Sequence, residues 1–87
     1  MSPSRRSLRY ATAARRDLRR LDPPVRRRVV SALERLASED RSLDVRHLAG
    51  RKQWRLRVGS WRVIFERDSE DGFLIRRVLP RGRAYER

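Results

Sequence analysis

The chain has no cysteine and a single histidine, His47. The first absence excludes a disulfide framework and thiolate chemistry, and the two together leave no ligand set for a zinc site. No run of apolar residues is long enough to span a bilayer. The opening MSPSRRSLRY carries charge with no apolar stretch behind it, so a signal peptide is not expected. The apolar fraction, 38%, is low, which implies a small and economical core. Eighty-seven residues hold one such core, so a single domain over 1–87 is expected. Acidic residues are also scarce, 11 against 24 basic, and the resulting +13 is large for a domain of this size. No cofactor is implied, and the lack of cysteine fits a reducing, cytoplasmic setting.

What is present in quantity is arginine: every basic residue except Lys52 is one. Such a field attracts polyanions and speeds encounter with them. The planar guanidinium grips phosphate through two hydrogen bonds. Nucleic acid is therefore the leading partner class, ahead of an acidic protein or an anionic membrane surface.

The most informative stretch is QWRLRVGSWRVIFE, Gln53 to Glu66. Trp54, Leu56 and Val58 alternate with Arg55 and Arg57; after Gly59-Ser60, Trp61, Val63 and Phe65 alternate with Arg62. A period of two gives each strand one apolar and one polar face. Gly-Ser at a two-residue connection suits a type II′ turn, since glycine takes the positive φ of its first position. That turn pairs Val58 with Trp61, Arg57 with Arg62, and Arg55 with Ile64. The aromatic and aliphatic set shares the core face, and Arg55, Arg57 and Arg62 meet on the other. Like charges facing each other across a sheet are destabilising, so their gathering points to an anion to be bound.

Around this hairpin, Ser4 to Tyr10 reads as a first strand with Leu8 and Tyr10 on one face. Thr12 is a candidate cap for a helix carrying Ala13, Ala14, Leu18 and Leu21 at helical spacing. Asp22-Pro23-Pro24 breaks the chain and starts a second helix, Val25 to about Ala37, whose stripe is Val25, Val29, Ala32, Leu33, Leu36 and Ala37. Two helices so closely joined are expected to form an antiparallel hairpin. Ser38 to Lys52 reads as a polar connector, with Gly50 ending a turn. Asp68 to Gly72 reads as a second, acidic turn without chemistry, and Phe73 to Leu79 as a last strand stopped by Pro80. Simple alternation sends Arg76 and Val78 of that strand to the open face and Arg77 toward the helices. The fold class is α+β: an N-terminal strand, two helices, then a three-stranded antiparallel meander, with the helices on one face of the sheet.

The stretches LRRLDPPVRRRVVSALERLA, VRHLAG, WRLRVGSWRVIFE and RRVLPRGRAYER resemble the RelE/ParE superfamily of bacterial toxins from toxin–antitoxin pairs, its RelE branch in particular. The resemblance covers nearly the whole chain after about Tyr10. It implies a ribosome-dependent endoribonuclease, an mRNA interferase that inhibits translation. Such an enzyme cuts ribosome-bound mRNA by attack of a 2′-hydroxyl on the scissile phosphate, without metal. It also implies a cognate antitoxin and the ribosome as partners, and no membrane. Position by position, it implies catalytic roles for Arg62, Arg81 and Tyr85. RNA or phosphate binding falls to Arg55 and Arg57, to which alternation along the last strand adds Arg76 and the basic tail adds Arg83. Two departures stand out: Leu79-Pro80 replaces the glycine and basic residue common in relatives, and both basic residues of the hairpin's first strand are arginine. Arginine stabilises a charged phosphate but is a poor general base, so the group that deprotonates the 2′-hydroxyl stays open.

Other residues read more plainly. His47 sits in the connector, away from the arginine run, as a surface or packing residue. Arg15, Arg16, Arg19, Arg20 and Arg26 to Arg28 read as solvated helix faces with a secondary role against ribosomal RNA. Two further function classes remain open: a ParE-like toxin acting on DNA gyrase, and a basic nucleic-acid-binding module without activity.

Overall fold

In the computed structural model, which describes residues 6–69 and 72–80, seven elements follow one another. They are β1 (Ser7–Tyr10), α1 (Thr12–Arg20), α2 (Pro23–Ala37), β2 (Asp44–His47), β3 (Gln53–Val58), β4 (Trp61–Ser69) and β5 (Gly72–Pro80). The strands form one five-stranded sheet in the order β1-β5-β4-β3-β2. β2 to β5 make an antiparallel meander, and β1 runs parallel to β5, Ser7 opposite Gly72 and Tyr10 opposite Ile75. The class is α+β as expected, but the connector between α2 and the hairpin holds a strand that its polar composition hides. Among the described residues no helix is long and apolar enough to cross a membrane.

The helices start and stop for local reasons. Ala11, not Thr12, is the N-cap of α1, and no side chain caps it. Asp22 is the N-cap of α2, with prolines in the first turn where amides lack intrahelical partners. Between the helices, Arg26 turns back on α1: its guanidinium donates to the carbonyls of Leu18 (3.0 Å), Leu21 (2.8 Å) and Arg19 (3.3 Å). It satisfies carbonyls that the end of α1 leaves open, so Arg26 is a structural arginine rather than part of a solvated face. α2 ends in a Schellman arrangement, with the Glu39 N–H on the Leu36 carbonyl and the Asp40 N–H on that of Arg35. Glu39 takes the left-handed position there, φ 63°, where glycine is usual.

Helix stripe and sheet share one core. Ala14, Val29, Leu33, Leu56, Val63 and Ile75 are fully enclosed, and Leu21, Ala32, Leu36, Phe65, Phe73 and Val78 join them. Phe65 and Phe73 meet edge to face at 5.3 Å. The hairpin register is the one the alternation gives: Val58–Trp61, Arg57–Arg62, Arg55–Ile64. Gly59 has φ 60° and Ser60 is not among the positive-φ residues, as a type II′ turn requires.

β5 departs from simple alternation. Its register against β4 shifts between Ile64 and Phe65, so that Ile75 faces Phe65 while Arg77 faces Ile64 and Arg76 is extra. The bulge lets Ile75 and Val78 both enter the core, although they are three residues apart. Val78 is therefore a core residue and not part of the open face. Beyond the reach of β1, the edge of β5 is bound by α1: Asp17 accepts from the Val78 N–H (2.8 Å) and from Arg77 Nε and Nη2 (2.8 and 3.2 Å). The carboxylate holds the Arg77 pKa up, above an already high value. Asp68, at the far end of β4, is not an idle turn residue either, since it accepts from Arg9 at 2.8 Å.

Candidate nucleic-acid interface

On the sheet face turned away from the helices, the registers set side chains in rows that cross β2, β3, β4 and β5. One row is Asp44, Arg57 and Arg62, with Leu79 next in register on β5; the other is Arg46, Arg55 and Ile64, beyond which Arg77 turns at the sheet edge to Asp17 of α1. Alternation along β2 sends Asp44 and Arg46 to this face and Val45 and His47 to the opposite one, opposite Leu56 and Trp54. The result is a cleft of about 410 Å³ bordered by Asp44, the segment from Arg46 to Ala49, and Arg55, Arg57 and Arg62. Four arginines and one carboxylate line it. A volume of this order lies at the small end of ligand sites, about 300–1,000 Å³.

The arginines differ in depth. Arg57 is exposed, with a side-chain exposure of 42%. Arg55, two residues away on the same strand, is only 7% exposed. Its Nη2 donates to Asp44 Oδ1 at 3.3 Å, while Asp44 Oδ2 stands 4.0 Å from Arg57 Nε. A buried guanidinium must be paired, and Asp44 is the group that does so. Arg62 is partly buried directly opposite Arg57, and Ile64 beside it is 5% exposed. The face is thus basic at its rim and closed at its centre.

His47 borders the cleft, and its ring lies against Trp54, centroids 4.7 Å apart. The guanidinium of Arg67 stands over the same Trp54 ring at 5.8 Å. Among the described residues no group of three histidines or carboxylates could hold a metal ion.

Sequence and fold match known proteins. A family profile described as "ParE toxin of type II toxin-antitoxin system, parDE" matches residues 8–85. The chain belongs to this toxin family. The toxin also resembles a chain of the RelBE2 toxin–antitoxin complex of Mycobacterium tuberculosis, with 30% identity and a TM-score of 0.73. That match covers 88% of this chain and 99% of that one. A chain of the archaeal RelE–RelB complex of Pyrococcus horikoshii matches with 27% identity and a TM-score of 0.75, over 90% and 97% of the two chains. The RelBE complex of Escherichia coli, at 20% identity and a TM-score of 0.69 over 94% and 99%, shares the fold. No curated protein matches by sequence. The toxin is thus a member of the RelE/ParE superfamily and stands on its RelE branch.

Of the residues singled out in the sequence, the fold brings Arg55, Arg57 and Arg62 together in the toxin's cleft. Arg76 is not with them: it is the bulge residue of β5, exposed, 3.9 Å from Glu66 Oε2 and outside the cleft lining. Arg81, Arg83 and Tyr85 lie outside the described residues. Two charged cleft residues escaped the sequence reading, Asp44 and Arg46. Both sit on β2, and their only signal was the pattern D-V-R-H, with Val45 at the alternate position.

Proposed function

We propose that this toxin is a ribosome-dependent endoribonuclease that cleaves mRNA through attack of a 2′-hydroxyl on the adjacent phosphate. The observation that carries the reading is the pairing of Arg57 with Arg62 across β3 and β4, in a cleft lined by four arginines. Two guanidinium groups on neighbouring strands can bind the non-bridging oxygens of one phosphate and stabilise the extra charge of its pentacoordinate state. Positioning and electrostatics of this kind account for much of phosphoryl-transfer catalysis. Arg81 and Tyr85 complete the site from the tail, Tyr85 by stacking on a base, and the exposed arginines of α1 contact ribosomal RNA. Arg55, Arg76 and Arg83 add to the basic field that guides RNA in. The partner that restrains the toxin is a cognate antitoxin, as the toxin–antitoxin complexes that hold the similar chains suggest.

A second reading, inhibition of DNA gyrase, draws on the match to the ParE family profile. One experiment separates the two. The toxin is expressed inducibly in bacteria, and RNA ends are mapped with and without translation of the message. Cuts that require translation and disappear in Arg62→Ala and Arg81→Ala support the ribonuclease. Growth arrest with intact messages and DNA damage overturns it in favour of gyrase, and no phenotype leaves a basic binding module.

A further inference from the structure

Cleavage through a 2′-hydroxyl needs a proton acceptor, and the arginines of the cleft cannot serve, because guanidinium stays protonated and has no acceptor atom. His47 borders the same cleft but its ring is packed against Trp54, centroids 4.7 Å apart, whereas Asp44 contacts the arginines directly. Among the described residues lining the cleft one group remains with a free-electron-pair oxygen at the right place, the carboxylate of Asp44. It shares a cross-sheet row with Arg57 and Arg62. Its Oδ1 is held by Arg55 at 3.3 Å, and its Oδ2 stands 4.0 Å from Arg57 Nε. The side chain is 49% exposed, so RNA can reach it.

We propose that Asp44 is the general base of this site, with Arg55 as its positioning residue; the inference rests on the ribonuclease reading above. A phosphate held between Arg57 and Arg62 brings the ribose on its 3′-oxygen side beside Asp44, at the end of the same row. Asp44 Oδ2 takes the proton of the 2′-hydroxyl, and the 2′-oxygen bonds to phosphorus. The bond from phosphorus to the 5′-oxygen breaks, and that oxygen takes a proton from water. Asp44 then gives its proton to the hydroxide so formed. The products are a 2′,3′-cyclic phosphate and a 5′-hydroxyl, with no atom unaccounted for. Burial of Arg55 acquires a purpose in this scheme: its guanidinium fixes one carboxylate oxygen and leaves the other toward the phosphate arginines.

The test is single-turnover cleavage of mRNA on programmed ribosomes at saturating toxin, with ribosome affinity measured separately. Asp44→Asn keeps an oxygen for Arg55 but removes the base. The cleavage rate is expected to fall by about 10²–10⁴-fold with affinity unchanged, the usual worth of a general base. Asp44→Glu, which restores a carboxylate one methylene further out, is expected to recover part of that loss, and thermal melting establishes that both variants fold. Wild-type cleavage at saturation by Asp44→Asn overturns the proposal, as does a loss confined to affinity, or a Glu variant no faster than the Asn one. A wild-type toxin that leaves messages intact overturns the ribonuclease reading and this proposal together. So does one that cuts a message with 2′-deoxyribose at the cleavage position as fast as an all-ribose message.

Discussion

β3 and β4 present two faces built from the same fourteen-residue stretch, and the two obey different rules. Toward the helices, Leu56, Val63 and Phe65 are enclosed, at 0%, 0% and 2% exposure, and what matters there is volume. On the other side, Arg57 is open to solvent while Arg55 and Ile64 are almost as enclosed as the core. Alternation sorts side chains between faces; it does not set their depth. Depth on the arginine face comes from the neighbours that the meander supplies, β2 with Asp44 on one flank and β5 on the other. A charged residue buried in that inner row needs a partner, whereas the exposed Arg57 can meet a ligand.

The contrast can be broken most strongly from the core side. Leu56→Ala removes a fully buried side chain and is expected to cost about 2–5 kcal/mol, read by denaturant unfolding. Arg57→Ala, one position along the strand, is expected to change stability by no more than about 0.5 kcal/mol, because its side chain is exposed. A large loss in Arg57→Ala would dissolve the distinction between the faces. Next in size is Asp17→Ala, which strips the Val78 N–H and Arg77 of their acceptor where α1 meets the edge of β5. About 1–3 kcal/mol is expected, with hydrogen exchange at Val78 accelerated more than at Leu56. Gly59→Ala puts a side chain at φ 60°, where handedness costs roughly 1–2 kcal/mol; space is not the obstacle, since a Cβ there meets nothing nearer than Arg28 Nη1 at 3.8 Å. The melting temperature should fall while near-UV circular dichroism of the tryptophans is kept.

The smallest effect belongs to an exposed network beyond both faces. Asp40 accepts from the Ser42 hydroxyl and N–H and from Arg35, and these bonds lower its pKa from 3.8 to about 2. A depressed pKa means stability that is present above 3.8 and is lost as pH falls toward 2. Asp40→Asn should therefore melt below wild type at pH 5 and converge with it near pH 2. A difference that persists at pH 2 would remove the carboxylate's charge from the account.

The hairpin was legible in the sequence to the residue because three local signals agree: alternation on both strands, glycine where φ is positive, and polar partners in register. The helices were legible through their stripes and the Asp-Pro-Pro break. β2 was not, because a short edge strand that is mostly exposed carries few apolar residues, and Val45 alone marks its alternation. Losing β2 meant losing Asp44 and Arg46, and with them the reason Arg55 is buried. Val78 was assigned to the wrong face because a bulge leaves no mark in a string of letters; Arg76-Arg77 reads as ordinary alternation until the partner strand shows that one residue is extra. The roles of Arg26 and Asp17 depend on chain segments meeting in space, which local patterns do not report.

The parallel pairing of β1 with β5 has a consequence in time. Ser7 lies opposite Gly72, so the first strand waits for a partner made about 65 residues later (72 − 7). At about 5–20 residues per second, the delay is roughly 3–13 s. Through that interval α1 lacks the strand edge that Asp17 will grip, and the sheet can grow only from the hairpin outward. A chain emerging from the ribosome therefore carries its arginines before it has the fold to aim them.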